Sequence, residues 1–193
     1  MNLPNKITLF RLLIIPVIVV ISCIPSLQEK VLFYHVTLGN LIMLILFVVA
    51  SLSDFLDGYL ARKYNLITTF GKFADPLADK ILVLALLIIL IEQHTLLPGY
   101  VVTIILAREL MITTFRILAA TKGIIMQAGW LGKIKTTLQF IMVILLLING
   151  SYTEIGVFEI IIIVVIVLTA LMTIISGIEY IVKNRIVFKE GKE

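Results

Sequence analysis

The chain has 193 residues, of which 61% are hydrophobic and only 15% charged, and its mean hydropathy is +1.15. A soluble domain is about 45–50% apolar and about 25% charged, so this composition all but excludes a water-soluble globular domain and argues equally against a disordered chain. The formal net charge of +4 carries little meaning until the charges are placed, and the single cysteine, Cys23, excludes an internal disulfide and a Cys-based metal cluster.

An all-α, polytopic membrane protein remains. Apolar runs and the polar breaks between them predict spans near 8–24, 34–53, 80–92, 98–119, 134–149 and 155–182. Six spans of about 20 residues use roughly 120 residues, which leaves room for short loops. Residues 1–193 therefore read as one membrane domain. Ahead of the first span, Asn2–Arg11 mixes Leu3, Ile7, Leu9 and Phe10 with polar residues. It reads as a short interfacial helix or as a charged flank that sets topology. No small-residue cleavage site follows the first apolar run, so no cleavable signal peptide is expected. The last run is long enough to tilt or to extend past the bilayer.

The lysines and arginines set the orientation. With both termini cytoplasmic, twelve of the sixteen fall at the inner side, only Lys30 falls outside, and Lys80, Arg108 and Arg116 fall within spans. That asymmetry matches the positive-inside rule and predicts a multi-pass cell-membrane protein with its termini in the cytoplasm. His35 and His94 then lie near the outer face, and Trp130 fits an inner interfacial anchor.

All four aspartates, Asp54, Asp57, Asp75 and Asp79, lie within 26 residues that flank the second break. Asp54 is 20 residues beyond Tyr34, or roughly 30 Å along a helix, which is about the hydrocarbon thickness. Both pairs thus sit at the inner interface. Asp54 and Asp57 are one turn apart on one face, and Asp75 and Asp79 share a face at i, i+4. Four converging carboxylates need a counter-charge at low dielectric. Oxygen-only ligands suit Mg²⁺ or Mn²⁺ rather than Zn²⁺. The alternative is four solvated carboxylates at helix ends. Gly58 and Ala61 strip one face of bulk beside the acids, and Arg62 supplies a bidentate phosphate donor. Gly71 has a similar place four residues before Asp75. For Gly58 alone, close helix packing is the simpler reading.

Asp54-Phe-Leu-Asp57-Gly58-Tyr-Leu-Ala61-Arg62, eight residues, then Gly71-Lys-Phe-Ala-Asp75-Pro-Leu-Ala-Asp79 resembles the signature of the CDP-alcohol phosphatidyltransferases, D-x-x-D-G-x-x-A-R followed by G-x-x-x-D-x-x-x-D. All eight fixed positions match. Pro4-Asn5-Lys-Ile-Thr8-Leu-Phe-Arg11 resembles the N-terminal stretch of the bacterial glycerophosphate-using branch. The resemblance covers the whole chain and implies a six-helix membrane enzyme, usually a homodimer. It implies attack of an acceptor hydroxyl on the β-phosphorus of a CDP-linked lipid, with CMP leaving. It also implies two divalent metals on Asp54, Asp57 and Asp75, with Asp79 beside them as general base. Asn5, Thr8, Gly58, Ala61, Arg62 and Gly71 are implied in holding the CDP group.

The basic residues bear on the acceptor. Arg108 follows seven uncharged residues inside a span, where a charge is costly and points to function. Arg116 lies two turns further on, and Lys133 and Lys135 open the next span. The four form a candidate basic pocket for an acceptor phosphate. Glu109 is expected to point elsewhere on the helix, leaving Arg108 without a sequence-local partner. The segments around Arg108 and Lys133 also resemble those of the glycerophosphate-using branch. Glycerol 3-phosphate is therefore the expected acceptor, with CDP-diacylglycerol as donor and no nucleic-acid partner. The alternatives are phosphatidylglycerol as acceptor, giving cardiolipin, and, more remotely, an ion transporter with a carboxylate relay. Glu159 has no role assigned from sequence.

Overall fold

A computed structural model of the chain describes residues 3–33, 36–63, 69–121, 129–149 and 156–184. Within these ranges the side chains of residues 3–7, 33, 54–63, 69–76, 79, 120 and 121 lie outside the description. The described chain is all-α apart from one small ribbon. Its elements are α1 (Leu3–Ser22), α2 (Pro25–Glu29), β1 (Val31–Phe33), β2 (Val36–Thr37), α3 (Leu38–Lys63), α4 (Thr69–Gln93), α5 (Gly99–Thr121), α6 (Trp130–Asn149) and α7 (Val157–Lys183). Among the described residues α6 and α7 are long and apolar enough to cross a bilayer, as a membrane protein requires.

The long helices fall where apolar runs predict spans, with differences at their ends. The N-terminal segment is not a separate element, because α1 runs unbroken from Leu3 through Pro16. The second helix begins at Leu38 rather than near Tyr34. The intervening residues form α2 and an antiparallel ribbon pairing Val31 with Thr37 and Phe33 with Val36. Val31, Leu32, Phe33, Val36 and Thr37 are all apolar or β-branched, and such a stretch does not reveal by periodicity that its two parts pair with each other. The second break is shorter than its polar residues suggest, since α3 continues to Lys63 and α4 starts at Thr69.

The chain divides into two compact units, residues 1–95 with 143–154 and residues 96–142 with 155–193, so α6 contributes residues to both. In the first unit α1 packs against α3 and α4. Its buried face is Thr8, Arg11, Ile14 and Ile18, a spacing of three and four residues. Met43, Phe47 and Ala50 of α3 and Leu82, Leu86 and Leu90 of α4 are buried at the same helical period. Gln28 of α2 ties three elements together: its amide donates to the Ile21 carbonyl at 3.2 Å, and its Oε1 accepts from Thr37 at 3.3 Å and Gln93 at 3.4 Å. Gly39 makes room for it, because a Cβ there would run into the Gln28 carboxamide. His94 is buried just past α4. Burial lowers its pKa to about 4.

In the second unit α5 packs on α7. The buried stripe of α7 is Glu159, Ile162, Ile166, Thr169, Thr173, Ser176, Gly177 and Tyr180. Glu159 has a structural task there, as its Oε2 accepts the Gly156 N–H at 2.9 Å. A carboxylate in the first turn also favours the helix dipole.

Candidate active site

Two groups of residues are candidates for function, one in each unit. In the first, α3 carries Asp54 and Asp57 in its last three turns, and α4 carries Asp75 and Asp79 in its first three. The two helices are in contact. The backbone is helical through both halves of the motif, so each aspartate pair shares a helix face. A donor set of two carboxylate pairs, all oxygen, on adjoining helices fits hard divalent cations. Beyond this backbone placement, Asn5, Asp54, Asp57, Gly58, Ala61, Arg62, Gly71, Asp75 and Asp79 fall among the residues whose side chains lie outside the description.

Thr8 is described. It is fully buried on the face of α1 that packs toward the two aspartate-bearing helices. Arg11 lies one turn along the same face and is likewise fully buried. Its spacing from Thr8, Ile14 and Ile18 is the sequence signal for its place on the buried face of α1.

The second group is a buried ion cluster between α5, α6 and α7. Arg108 Nη1 donates to Glu109 Oε1 at 2.8 Å, and the Lys135 ammonium donates to the same oxygen at 2.5 Å. Arg108 Nη2 donates to Ser176 Oγ at 3.3 Å. The Lys135 side chain is only 2% exposed, Glu109 8% and Arg108 14%. Two glycines border the Arg108 side chain: a Cβ at Gly132 would lie 3.6 Å from Nη2, and one at Gly177 would lie 3.4 Å from the Arg108 Cγ, both ordinary contact distances. The Arg108 Nε is buried and has no hydrogen-bond partner among the described residues.

These contacts correct the expectation that Arg108 lacks a sequence-local partner and that Glu109 points away from it. Adjacent residues on a helix diverge by about 100° at 3.6 residues per turn. The long flexible arginine stem spans that divergence and brings the guanidinium back to its neighbour's carboxylate.

Of the four cations predicted to gather, the structure brings Arg108 and Lys135 together through Glu109. Arg116 stands apart against Tyr180, its Nε 3.4 Å from the phenol oxygen and its guanidinium 5.7 Å from the ring centroid. Lys133 does not join the cluster: it is exposed and lies 5.7 Å from the centre of the exposed Trp130 ring. Glu109, Ser176 and Tyr180 were not singled out from sequence. Glu109 carried a usable signal, since an opposite charge beside an intramembrane arginine is itself a candidate partner.

The CDP-alcohol phosphatidyltransferase family model matches residues 1–182, and the chain belongs to that family. Relatives resemble it over nearly their full length. A Bacillus subtilis protein named CDP-diacylglycerol–glycerol-3-phosphate 3-phosphatidyltransferase is 43% identical over 185 residues, covering 95% of each chain. Proteins of the same name from Rickettsia typhi and Haemophilus influenzae are 38% and 34% identical over 180 and 184 residues. The first alignment covers 93% of this chain and 94% of the relative, and the second covers 93% and 91%.

Proposed function

We propose that the chain transfers the phosphatidyl group of CDP-diacylglycerol to glycerol 3-phosphate, giving phosphatidylglycerophosphate and CMP. The family and the names of its relatives support the reaction class. The observation that carries the acceptor is the Arg108 cluster. Arg108 and Lys135 both bond the Glu109 carboxylate in a buried place, and the Arg108 Nε–H has no partner among the described residues. Buried donors are almost always satisfied, so this donor calls for an acceptor oxygen from outside the chain. A phosphate on the incoming alcohol supplies one, in charge-assisted form. Arg116, and Lys133 from its exposed position, add positive potential along the approach of that phosphate.

On this reading the acceptor hydroxyl attacks the β-phosphorus, the bond from that phosphorus to the bridging oxygen breaks, and CMP departs. Asp79 accepts the hydroxyl proton. Asp54, Asp57 and Asp75 would hold two divalent cations, Mg²⁺ or Mn²⁺, with Asp79 beside them. Such cations would supply positive charge to offset the pyrophosphate and the leaving phosphate. Gly58, Ala61 and Gly71 let the cytidine diphosphate approach the backbone, Arg62 takes a phosphate, and Asn5 and Thr8 close the site from α1. The fold is one membrane domain of six spans, used as a homodimer in the cell membrane, with both termini and the site cytoplasmic. The distribution of Lys and Arg supports that orientation.

The test is an assay of the purified protein with CDP-diacylglycerol and Mg²⁺. Glycerol 3-phosphate, phosphatidylglycerol, serine and inositol phosphate are offered in turn. CMP release and a new phospholipid are expected with glycerol 3-phosphate, abolished reversibly by EDTA. Turnover with phosphatidylglycerol instead would move the acceptor to a second lipid.

A further inference from the structure

We propose that Glu109 is a positioning residue for the acceptor: its carboxylate fixes the Arg108 guanidinium and the Lys135 ammonium at the spacing a phosphate needs. The inference rests on the reading of this cluster as the acceptor-phosphate site and deepens it. A single oxygen, Oε1, receives both cations, at 2.8 Å from Arg108 and 2.5 Å from Lys135. Two groups that both hydrogen-bond one atom are held within a few ångströms of each other. The second guanidinium nitrogen is tied to Ser176 on α7, which fixes the plane of the fork. With Nη1 and Nη2 so engaged, Nε is the guanidinium nitrogen without a partner among the described residues. The carboxylate and the Ser176 hydroxyl thereby fix how the guanidinium is turned.

The electrostatics point the same way. Two buried cations side by side repel each other and lack the water that would screen them. A shared carboxylate makes their juxtaposition tolerable before any phosphate arrives. A dianionic phosphate then meets a prearranged pair and has no rearrangement to drive, which favours binding. Glu109 itself carries the same sign as the ligand, so it acts through its neighbours and does not bind the phosphate.

The experiment measures steady-state kinetics of full-length protein in detergent–lipid micelles with CDP-diacylglycerol, glycerol 3-phosphate and Mg²⁺. Glu109→Gln keeps the shape and one acceptor oxygen but removes the charge. It is expected to raise KM for glycerol 3-phosphate at least tenfold while leaving KM for CDP-diacylglycerol, and kcat at saturating acceptor, within about twofold. Adding Glu109→Gln to Lys135→Met should raise KM little beyond Lys135→Met alone, because residues that act as a unit are not additive. An unchanged or lowered KM for glycerol 3-phosphate in Glu109→Gln would overturn the proposal, the lowered value marking Glu109 as a competing anion only. A loss of kcat or donor affinity with acceptor KM unchanged would overturn it too. Should Glu109→Gln not fold, Glu109→Asp serves in its place. It retains the charge and shortens the reach, so a raised acceptor KM supports the positioning role and an unaltered one removes it. Arg108→Lys and Lys135→Met separate this inference from the reading beneath it. If neither alters KM for glycerol 3-phosphate, the cluster is not the acceptor site. If both do and Glu109→Gln does not, only the positioning role fails.

Discussion

Asp79 differs from Asp54, Asp57 and Asp75 in its proposed task, and single-residue changes can expose the difference. Replacing a metal-binding carboxylate by an amide leaves a donor set whose charge no longer matches its cations. Asp54→Asn, Asp57→Asn and Asp75→Asn are each expected to lose nearly all turnover. Asp79→Asn should lower kcat strongly and leave donor binding close to normal, as expected for a group needed only when the hydroxyl loses its proton. Titration of CDP-diacylglycerol binding to each variant checks this. A parallel collapse of binding and turnover in Asp79→Asn would assign Asp79 to the metals or to the fold. At this scale the sequence displays residue types and spacing but not reach. The motif acids stand out because every aspartate of the chain is among them. The Glu109 bond to Arg108 does not stand out, because helical periodicity describes where a side chain starts and says little about where a six-atom stem ends.

The long helices were legible as elements because each needs only an apolar run bounded by polar residues. α5 at Gly99–Thr121 and α6 at Trp130–Asn149 lie within a few residues of their predicted spans. The stretch between α1 and α3 was not legible. Its structure depends on one side chain, Gln28, which reaches the Ile21 carbonyl, Thr37 and Gln93, 7, 9 and 65 residues away. No local pattern encodes such a clamp. It can be tested through the glycine beneath it. A Cβ at position 39 would displace the Gln28 carboxamide and cost its hydrogen bonds. Leaving part-buried polar groups unsatisfied costs about 1–3 kcal/mol. Gly39→Ala should therefore lower the thermal midpoint clearly. Gly99→Ala, where a Cβ meets nothing within 4 Å, should have little effect. Gln28→Ala should reproduce the loss, and the double variant Gln28→Ala, Gly39→Ala should be no worse than Gln28→Ala alone.

At the scale of the whole molecule the surface is apolar as well as the core, and several polar side chains turn inward, unlike a soluble protein. The inward stripe of α7 includes Glu159, Thr169, Thr173 and Ser176, and the exposed side carries Val157, Ile160, Val164, Leu168, Ile174, Ile178 and Val182. α1 repeats this, with Thr8 and Arg11 buried while Phe10, Leu13, Val17 and Val20 are exposed. Water would penalise such a surface, since large contiguous apolar patches do not persist on soluble monomers. Lipid reverses the preference: tails accept Val, Ile and Leu, and polar side chains turn inward to find partners. The same preference lets a charged cluster exist beside α5, because inside the protein it finds polar partners that lipid tails lack.

This distinguishes two solvents by experiment. Leu168 is 43% exposed near the middle of α7, and Val182 is 58% exposed near its end. In a bilayer, a lysine at a helix centre costs about 2.5–3.5 kcal/mol on insertion scales, whereas one near the end snorkels to the interface at little cost. Leu168→Lys should sharply reduce the yield of folded protein in the membrane fraction, and Val182→Lys should leave it near that of the unaltered chain. Equal tolerance of the two substitutions would mean that water covers this face of α7, and would contradict the lipid-facing assignment on which the six-span reading depends.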